Sequence, residues 1–200
     1  MGTANKFKIL NFKFKTDGVF KITSVGRITL SKDYETLIKA TERLKENGLN
    51  FRVEIAGQPA TKGDLAYLEH LKEIIKNKNL ADIFKFIGPI ANKNLPPFLQ
   101  SANLFVNMSH TGSLDKAILE AMACGLPVLT CNEALKNVLG NYADRFMYPK
   151  KDDKVLAEKI SLIISLSAGE VEFISADMRK IVVENHGLDK FIDKLASVLS

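Results

Sequence analysis

The sequence predicts an α/β fold: three layers, α/β/α, around a parallel, doubly wound sheet of about six strands, followed by a helical tail. Three observations predict it. Short apolar runs alternate with longer amphipathic stretches, the pattern of βαβ units whose strands run parallel. Several runs end in glycine, at Gly26, Gly57 and Gly88, where a strand passes into a loop. No apolar run approaches the roughly 18–20 residues that span a bilayer.

The elements follow in order. Residues 20–25, Phe-Lys-Ile-Thr-Ser-Val, read as a strand ending at Gly26. Over residues 32–47, Tyr34, Leu37, Ile38, Thr41 and Leu44 recur at helical spacing, and Gly48 supplies a stop. Residues 51–55 form a second strand, closed by Ala56-Gly57-Gln58-Pro59. Leu68, Leu71, Ile74 and Ile75 mark a helix over 65–76, and 83–87 is a third strand ending at Gly88-Pro89. A short helix is expected over 94–100, a fourth strand over 104–107, a helix over 115–124 stopped by Gly125, and a fifth strand over 127–130. Weaker signals place a short helix at 133–139 and a sixth strand at 145–148. Residues 152–166, 170–184 and 188–199 are amphipathic and make the tail. Residues 6–19 alternate Phe7, Ile9, Phe12 and Phe14 with lysine, as an edge strand or a linker would. Right-handed crossovers then give a sheet whose ligand lies at the carboxyl ends of the strands.

Composition narrows the class. Two hundred residues suffice for one domain with a substantial core. Charged residues make up 26% and apolar residues 46%, which is the balance of an ordinary globular protein. Met1 to Lys6 lack the apolar core of a signal peptide, so a cytoplasmic protein is expected. Cys124 and Cys131 are too few for a disulfide framework and lack metal-ligand spacing. They read as buried, reduced thiols. His70, His110 and His186 lie far apart, and no metal site is expected. The net charge of +5 comes from scattered lysines, and tryptophan is absent. A nucleic-acid binder would show stacking aromatics or a basic helix, so that class is set aside. Attraction to an anionic membrane surface, such as the inner face of a cell membrane, stays open.

Three strand ends carry unusual chemistry. In Val25-Gly26-Arg27-Ile28-Thr29-Leu30-Ser31-Lys32, Gly26 permits a tight turn and Arg27 and Lys32 flank a short loop. Arginine grips oxygens bidentately and lysine supplies a point charge, a pair suited to a diphosphate. On spacing alone, a helix cap at Ser31 or Asp33 with both cations solvated fits equally. The second strand end is Ser109-His110-Thr111-Gly112-Ser113-Leu114-Asp115-Lys116, a polar loop opening a helix, where free N–H groups and the macrodipole favour an anion. Ser113 as a helix cap is compatible with that reading. The third is Glu120, a lone acid in the apolar, small-residue helix Ala117-Ile118-Leu119-Glu120-Ala121-Met122-Ala123. A ribose diol would satisfy it, and so would an ion pair with Lys116 one turn earlier.

Read together, Val25-Gly26-Arg27…Lys32, Ile55-Ala56-Gly57, Phe86-Ile87-Gly88 and Ser109…Leu119-Glu120-Ala121-Met122-Ala123-Cys124-Gly125-Leu126-Pro127-Val128 resemble the C-terminal domain of family 4 (group 1) retaining glycosyltransferases. Those enzymes have the GT-B fold of two Rossmann-like domains. The resemblance runs from about Lys21 to about Pro149, and the Glu-Ala-Met-Ala-Cys-Gly-Leu-Pro-Val segment is its strongest piece. It implies that Arg27 and Lys32 bind the donor diphosphate and carry the catalytic electrostatics, and that Glu120 holds the nucleotide ribose. It implies that Gly88-Pro89-Ile90 meets the base, and that the Gly112-Ser113-Leu114 backbone is the helix start that meets the diphosphate. Gly26, Gly57 and Ser109 complete the implied donor site.

One departure matters. The family's usual motif has two glutamates separated by seven residues, the first touching the donor sugar. Counting back from Glu120 gives Gly112, which has no side chain. Asp115, Lys116 or a backbone amide is left to remake that contact.

The resemblance further implies a nucleotide-sugar donor, no metal, and a glycan or lipid-linked acceptor held by an absent N-terminal domain. Residues 1–20 would be the linker or edge strand from that domain, and 21–200 the nucleotide-sugar-binding half. The chain alone is expected to bind nucleotide weakly and to transfer no sugar. A GT-B sugar-nucleotide epimerase and a nucleotide-binding module without catalysis are the alternatives. The first lacks an obvious acid–base pair and the second draws on Gly112. A dehydrogenase would need Gly-x-Gly-x-x-Gly after the first strand, which Gly26-Arg27-Ile28 does not supply.

Overall fold

The computed structural model describes residues 19–109 and 112–186. The alternating segment before Val19, the helix expected over 188–199, and His110 lie outside those residues. Five strands form one sheet: β1 (Phe20–Val25), β2 (Phe51–Ala56), β3 (Phe84–Gly88), β4 (Leu104–Asn107) and β5 (Val128–Thr130). Their order is β3-β2-β1-β4-β5, and every pairing is parallel. The chain runs outward from β1 to β3, then crosses back to lay β4 on the other side of β1. Helices α1 (Tyr34–Glu46), α2 (Lys62–Asn77), α3 (Leu95–Gln100) and α4 (Lys116–Ala123) make the crossovers. The short α5 (Lys136–Leu139) and α6 (Ala143–Phe146) follow β5, and α7 (Asp153–Ile164) and α8 (Ala168–His186) end the described chain. This is the Rossmann-like arrangement, with its crevice where strand order reverses, between β1 and β4.

The central strands are apolar on both faces because helices cover both. Ile22, Val53, Ile55, Leu104, Phe105, Val106, Val128 and Leu129 are fully buried, as parallel sheets require. A lysine sits among them. Lys21 is satisfied by the Glu54 carboxylate, by Ser101 Oγ at 2.9 Å and by the Phe98 ring at 4.9 Å. It lies at the amino-terminal end of β1, away from the edge where ligands bind. Helix α7 packs on α1 and α8 on α4. The Arg179 guanidinium of α8 donates to the carbonyl of Ala123, closing the carboxyl end of α4.

Three expectations change. The sixth strand shrinks to one parallel bridge between Thr130 and Met147, because 143–146 coils into α6 and the chain turns over 149–152, where Asp152 N donates to the Pro149 carbonyl at 3.1 Å. Helix α1 begins at Tyr34, after a single 3-10 turn over Leu30–Lys32. Neither Ser31 nor Asp33 caps it with a side chain: Asp33 is left-handed, at φ 48°, and its carboxylate accepts from Thr36 Oγ1 at 2.7 Å. Helix α4 is capped by Asp115, not Ser113, through the Ala117 N–H. Its expected first residue is thus its cap.

Both cysteines are buried and free. Burial pushes the Cys124 thiol up to about 12 and the Cys131 thiol up to about 11. Iodoacetamide at pH 8 is therefore expected to leave both unmodified in the folded protein and to alkylate both in urea, read by mass spectrometry. As pH rises past the ordinary thiol range, the unfolded chain releases protons that the native state keeps. Stability contributed by these thiols is then lost on the way to about pH 11–12.

Candidate functional site

The site is built from loops at the carboxyl ends of the strands, and two glycines decide how tightly they pack. Gly26 N donates to the Ala56 carbonyl at 3.0 Å, Ile28 N to Gln58 at 3.2 Å, and Gly57 N to Gly88 at 2.9 Å. These bonds carry the strand ladder past the strands and layer the three loops. A β-carbon on Gly57 would lie 1.8 Å from the Gly26 carbonyl oxygen, so only glycine allows this approach. The register shift between Ile55 and Ala56 aligns Ala56 with Gly88 and sets up the Gly57–Gly88 bond.

Over these loops lies a cleft of about 470 Å³. Gly26, Arg27, Gly57, Gln58, Pro89, Ile90, Lys116 and Glu120 are among its lining residues. Its lining combines apolar Val25, Ala56, Ile90 and Leu95 with charged Arg27, Lys116 and Glu120. A larger groove of about 650 Å³ lies between α1 and α7, among Arg43, Glu46, Lys154 and Glu158. It is remote from the strand ends where this sheet topology places ligands.

Two ion pairs stand at this end of the sheet, one in the cleft lining and one beside it. Lys116 Nζ lies 3.3 Å from Glu120 Oε1; the lysine side chain is 84% exposed and the glutamate 22%. The ion pair expected as one reading of Glu120 thus exists, and it leaves carboxylate lone pairs for further donors. Lys32 Nζ is 2.5 Å from Asp115 Oδ2. Its terminal carbons also reach Gly26: a β-carbon there would lie 3.4 Å from Lys32 Cε and 3.7 Å from Nζ. Arg27 is exposed. At the start of α2 the Asp64 carboxyl is held below its usual range, chiefly by the Thr29 hydroxyl of the loop that carries Arg27 and then by the Ala60 and Thr61 amides. Tyr34 donates to the Gly26 carbonyl at 3.4 Å, and burial drives its hydroxyl well above the tyrosine range, so it stays a neutral donor.

Below Asp115 runs a buried polar chain. Asn107 Nδ2 donates to Asp115 Oδ2 at 3.0 Å, and Thr130 Oγ1 to Asn107 Oδ1 at 3.2 Å. Asn132 N donates to Thr130 Oγ1 at 3.0 Å, while Asn132 Nδ2 donates to the Ser113 carbonyl at 2.8 Å. Asn107, Thr130 and Asn132 are the residues that sequence reasoning missed, as are Gln58 and Asn92 in the cleft wall. Asn107 and Thr130 each close a strand at the ligand edge. A polar residue at the carboxyl end of an apolar run was the signal available.

The remaining expected residues lie around this framework. Gly112, Ser113 and Leu114 form a loop ahead of α4 and not its first turn. Leu114 is 47% exposed, and no described residue outside its immediate neighbours comes within 4 Å of a β-carbon placed on Gly112. Ser109 is fully buried with no hydrogen-bond partner for its hydroxyl among the described residues. No cluster of three His, Cys, Asp or Glu side chains suited to a metal occurs among the described residues. No helix there is long and apolar enough to cross a membrane.

The sequence profile described as "Glycosyl transferases group 1" matches residues 5–180. The chain belongs to this family. The chain is 29% identical to the amylovoran biosynthesis glycosyltransferase AmsK of Erwinia amylovora over 77% of its own length and 37% of AmsK. It spans less than half the length of the first curated relatives it matches. Among solved structures, it superposes on Anabaena HepE in complex with UDP and glucose with a TM-score of 0.82, at 18% identity, covering 98% of this chain and 54% of HepE. It superposes on the C-terminal domain of the Francisella tularensis group 1 protein LpcC at 0.77 and 22% identity, covering 92% of this chain and 97% of that domain. The fold of this chain is therefore that of the Rossmann-like domains of GT-B enzymes.

Proposed function

We propose that these residues form the donor-binding half of a glycosyltransferase that moves a sugar, with retention, from a nucleoside-diphosphate sugar to a glycan or lipid-linked acceptor. The observation that carries the proposal is the convergence of Arg27, Lys116 and Glu120 on one cleft, with the Lys32 ammonium beside Gly26 at its edge. Arg27 and Lys32 engage the diphosphate and offset the charge that develops on the leaving nucleoside diphosphate. Glu120 accepts from the ribose hydroxyls, and Pro89 and Ile90 take the base. Protein cations supply the charge compensation, and no metal is required. HepE, bound to UDP and glucose, supports a nucleotide-sugar donor. AmsK, named for amylovoran biosynthesis, supports a polysaccharide setting, and we place the protein in the cytoplasm at the inner face of the membrane.

Titration with UDP, GDP and ADP by calorimetry tests the proposal. One of them is expected to bind with a dissociation constant between micromolar and millimolar, about −4 to −8 kcal/mol. Arg27 is exposed, so Arg27→Ala should fold normally and bind that nucleotide about tenfold more weakly, the loss of a charge-assisted contact. Unchanged affinity in Arg27→Ala would remove the diphosphate assignment.

A further inference from the structure

We propose that Asp115 is a positioning residue that holds the Lys32 ammonium at the cleft edge, and that it does not contact the donor sugar. The inference rests on the donor-site reading above. With Gly112 lacking a side chain, Asp115 is the nearest acid in sequence that could replace the usual sugar contact. Its surroundings commit it elsewhere. Oδ2 accepts from Lys32 Nζ at 2.5 Å and from Asn107 Nδ2 at 3.0 Å, and Oδ1 accepts from the Ala117 N–H at 3.2 Å. The carboxylate is 12% exposed. Lys116 and Glu120, one and five residues later, line the cleft, and Asp115 does not.

The arrangement is directional. Asn107 is buried and anchored by Thr130, and the Ala117 amide belongs to the first turn of α4. Both donors are fixed by the fold, so the carboxylate is fixed before the lysine arrives. Lysine is a point charge on a flexible stem, and an uncharged neighbour would let it wander. Pairing uses one of its three N–H donors and leaves two for phosphate oxygens. The ion pair also spans 83 residues of sequence, from the loop after β1 to the cap of α4. It therefore joins the two halves of the topological switch point. Protein kinases use the same logic, in which an acid from a neighbouring helix holds the phosphate-binding lysine in place.

A positioning acid and a competing acid predict opposite signs. Were Asp115 only a competitor for Lys32, its removal would free the ammonium and tighten nucleotide binding. Asp115→Asn keeps a side-chain oxygen for the Ala117 N–H and is as good a helix cap as aspartate. Asp115→Ser is a second cap-competent, uncharged variant if the first folds poorly. Each is titrated with UDP, GDP and ADP and with UMP, GMP and AMP. The variants are expected to bind the preferred diphosphate about tenfold more weakly and its monophosphate within about twofold of wild type. In a Lys32→Met background, Asp115→Asn should add no further loss. Tighter diphosphate binding would overturn the inference, and so would equal weakening of diphosphate and monophosphate, which marks a purely structural role. Wild type that binds no diphosphate would defeat the donor-site reading itself. Wild type that binds, with Asp115→Asn unchanged, defeats only this inference.

Discussion

Gly57→Ala is expected to lower stability by about 3 kcal/mol, to drop the melting temperature on the order of 10 °C, and to abolish nucleotide binding. The added β-carbon would sit 1.8 Å from the Gly26 carbonyl oxygen and 2.8 Å from its carbon. Both are backbone atoms, so no side chain can rotate away. The clash can be relieved only by parting the loops after β1 and β2. That breaks the Gly26–Ala56 and Ile28–Gln58 hydrogen bonds and moves Arg27, which follows Gly26 directly. Position 57 also has φ +152°, a region that costs other residues about 1–3 kcal/mol. Gly48→Ala separates strain from clash. Gly48 has φ +74° with nothing within 4 Å of the added carbon, and it lies in the turn after α1. It should lose about 1 kcal/mol and no affinity. Urea denaturation and calorimetry on both variants decide the matter: equal losses would mean that crowding at Gly57 is not what shapes the cleft.

What the sequence made legible followed from locality. The alternation of apolar runs and amphipathic stretches located every strand of the sheet, because a strand buried on both faces and a half-buried helix differ in period. The Lys116–Glu120 pair was readable because residues one helical turn apart are neighbours whatever the tertiary fold. The Lys32–Asp115 pair was not, since it depends on β4 lying beside β1, which no spacing along the chain encodes. The cap of α4 was misplaced for a related reason. Ser113 and Asp115 both suit a cap, and the choice is made by Asn107 and Asn132, which draw on the Asp115 carboxylate and the Ser113 carbonyl respectively. The sixth strand failed because one apolar pair before a proline resembles a strand end. With Phe146 coiled into α6, the contact with β5 is confined to the Met147 bridge and the Tyr148 N–H, which donates to the Thr130 carbonyl at 3.1 Å.

The same long-range logic makes Asn107 the side chain whose loss should reach furthest. Asn107→Leu is expected to cost about 3 kcal/mol and to weaken nucleotide binding through Lys32. The residue is 3% exposed at the end of β4. Leucine is of similar size, so the change leaves little cavity and acts through hydrogen bonds. It deprives the Thr130 hydroxyl of its acceptor and the Asp115 carboxylate of its neutral anchor. Each buried polar group left short of a partner costs about 1–3 kcal/mol. The Tyr148 hydroxyl donates to the Asn107 backbone carbonyl at 2.9 Å and is unaffected, so β4 should keep its seat. Thr130→Val removes the same Thr130–Asn107 bond from the other side. If the chain acts as a unit, the double variant will lose clearly less than the two single losses added together. Additive losses, or Asn107→Leu within about 0.5 kcal/mol of wild type, would mean that the network does not hold Asp115. Lys32 would then owe its place at the proposed donor cleft to the Asp115 contact alone, and salt strong enough to screen an ion pair that is partly open to solvent would loosen it in a way the intact network should resist.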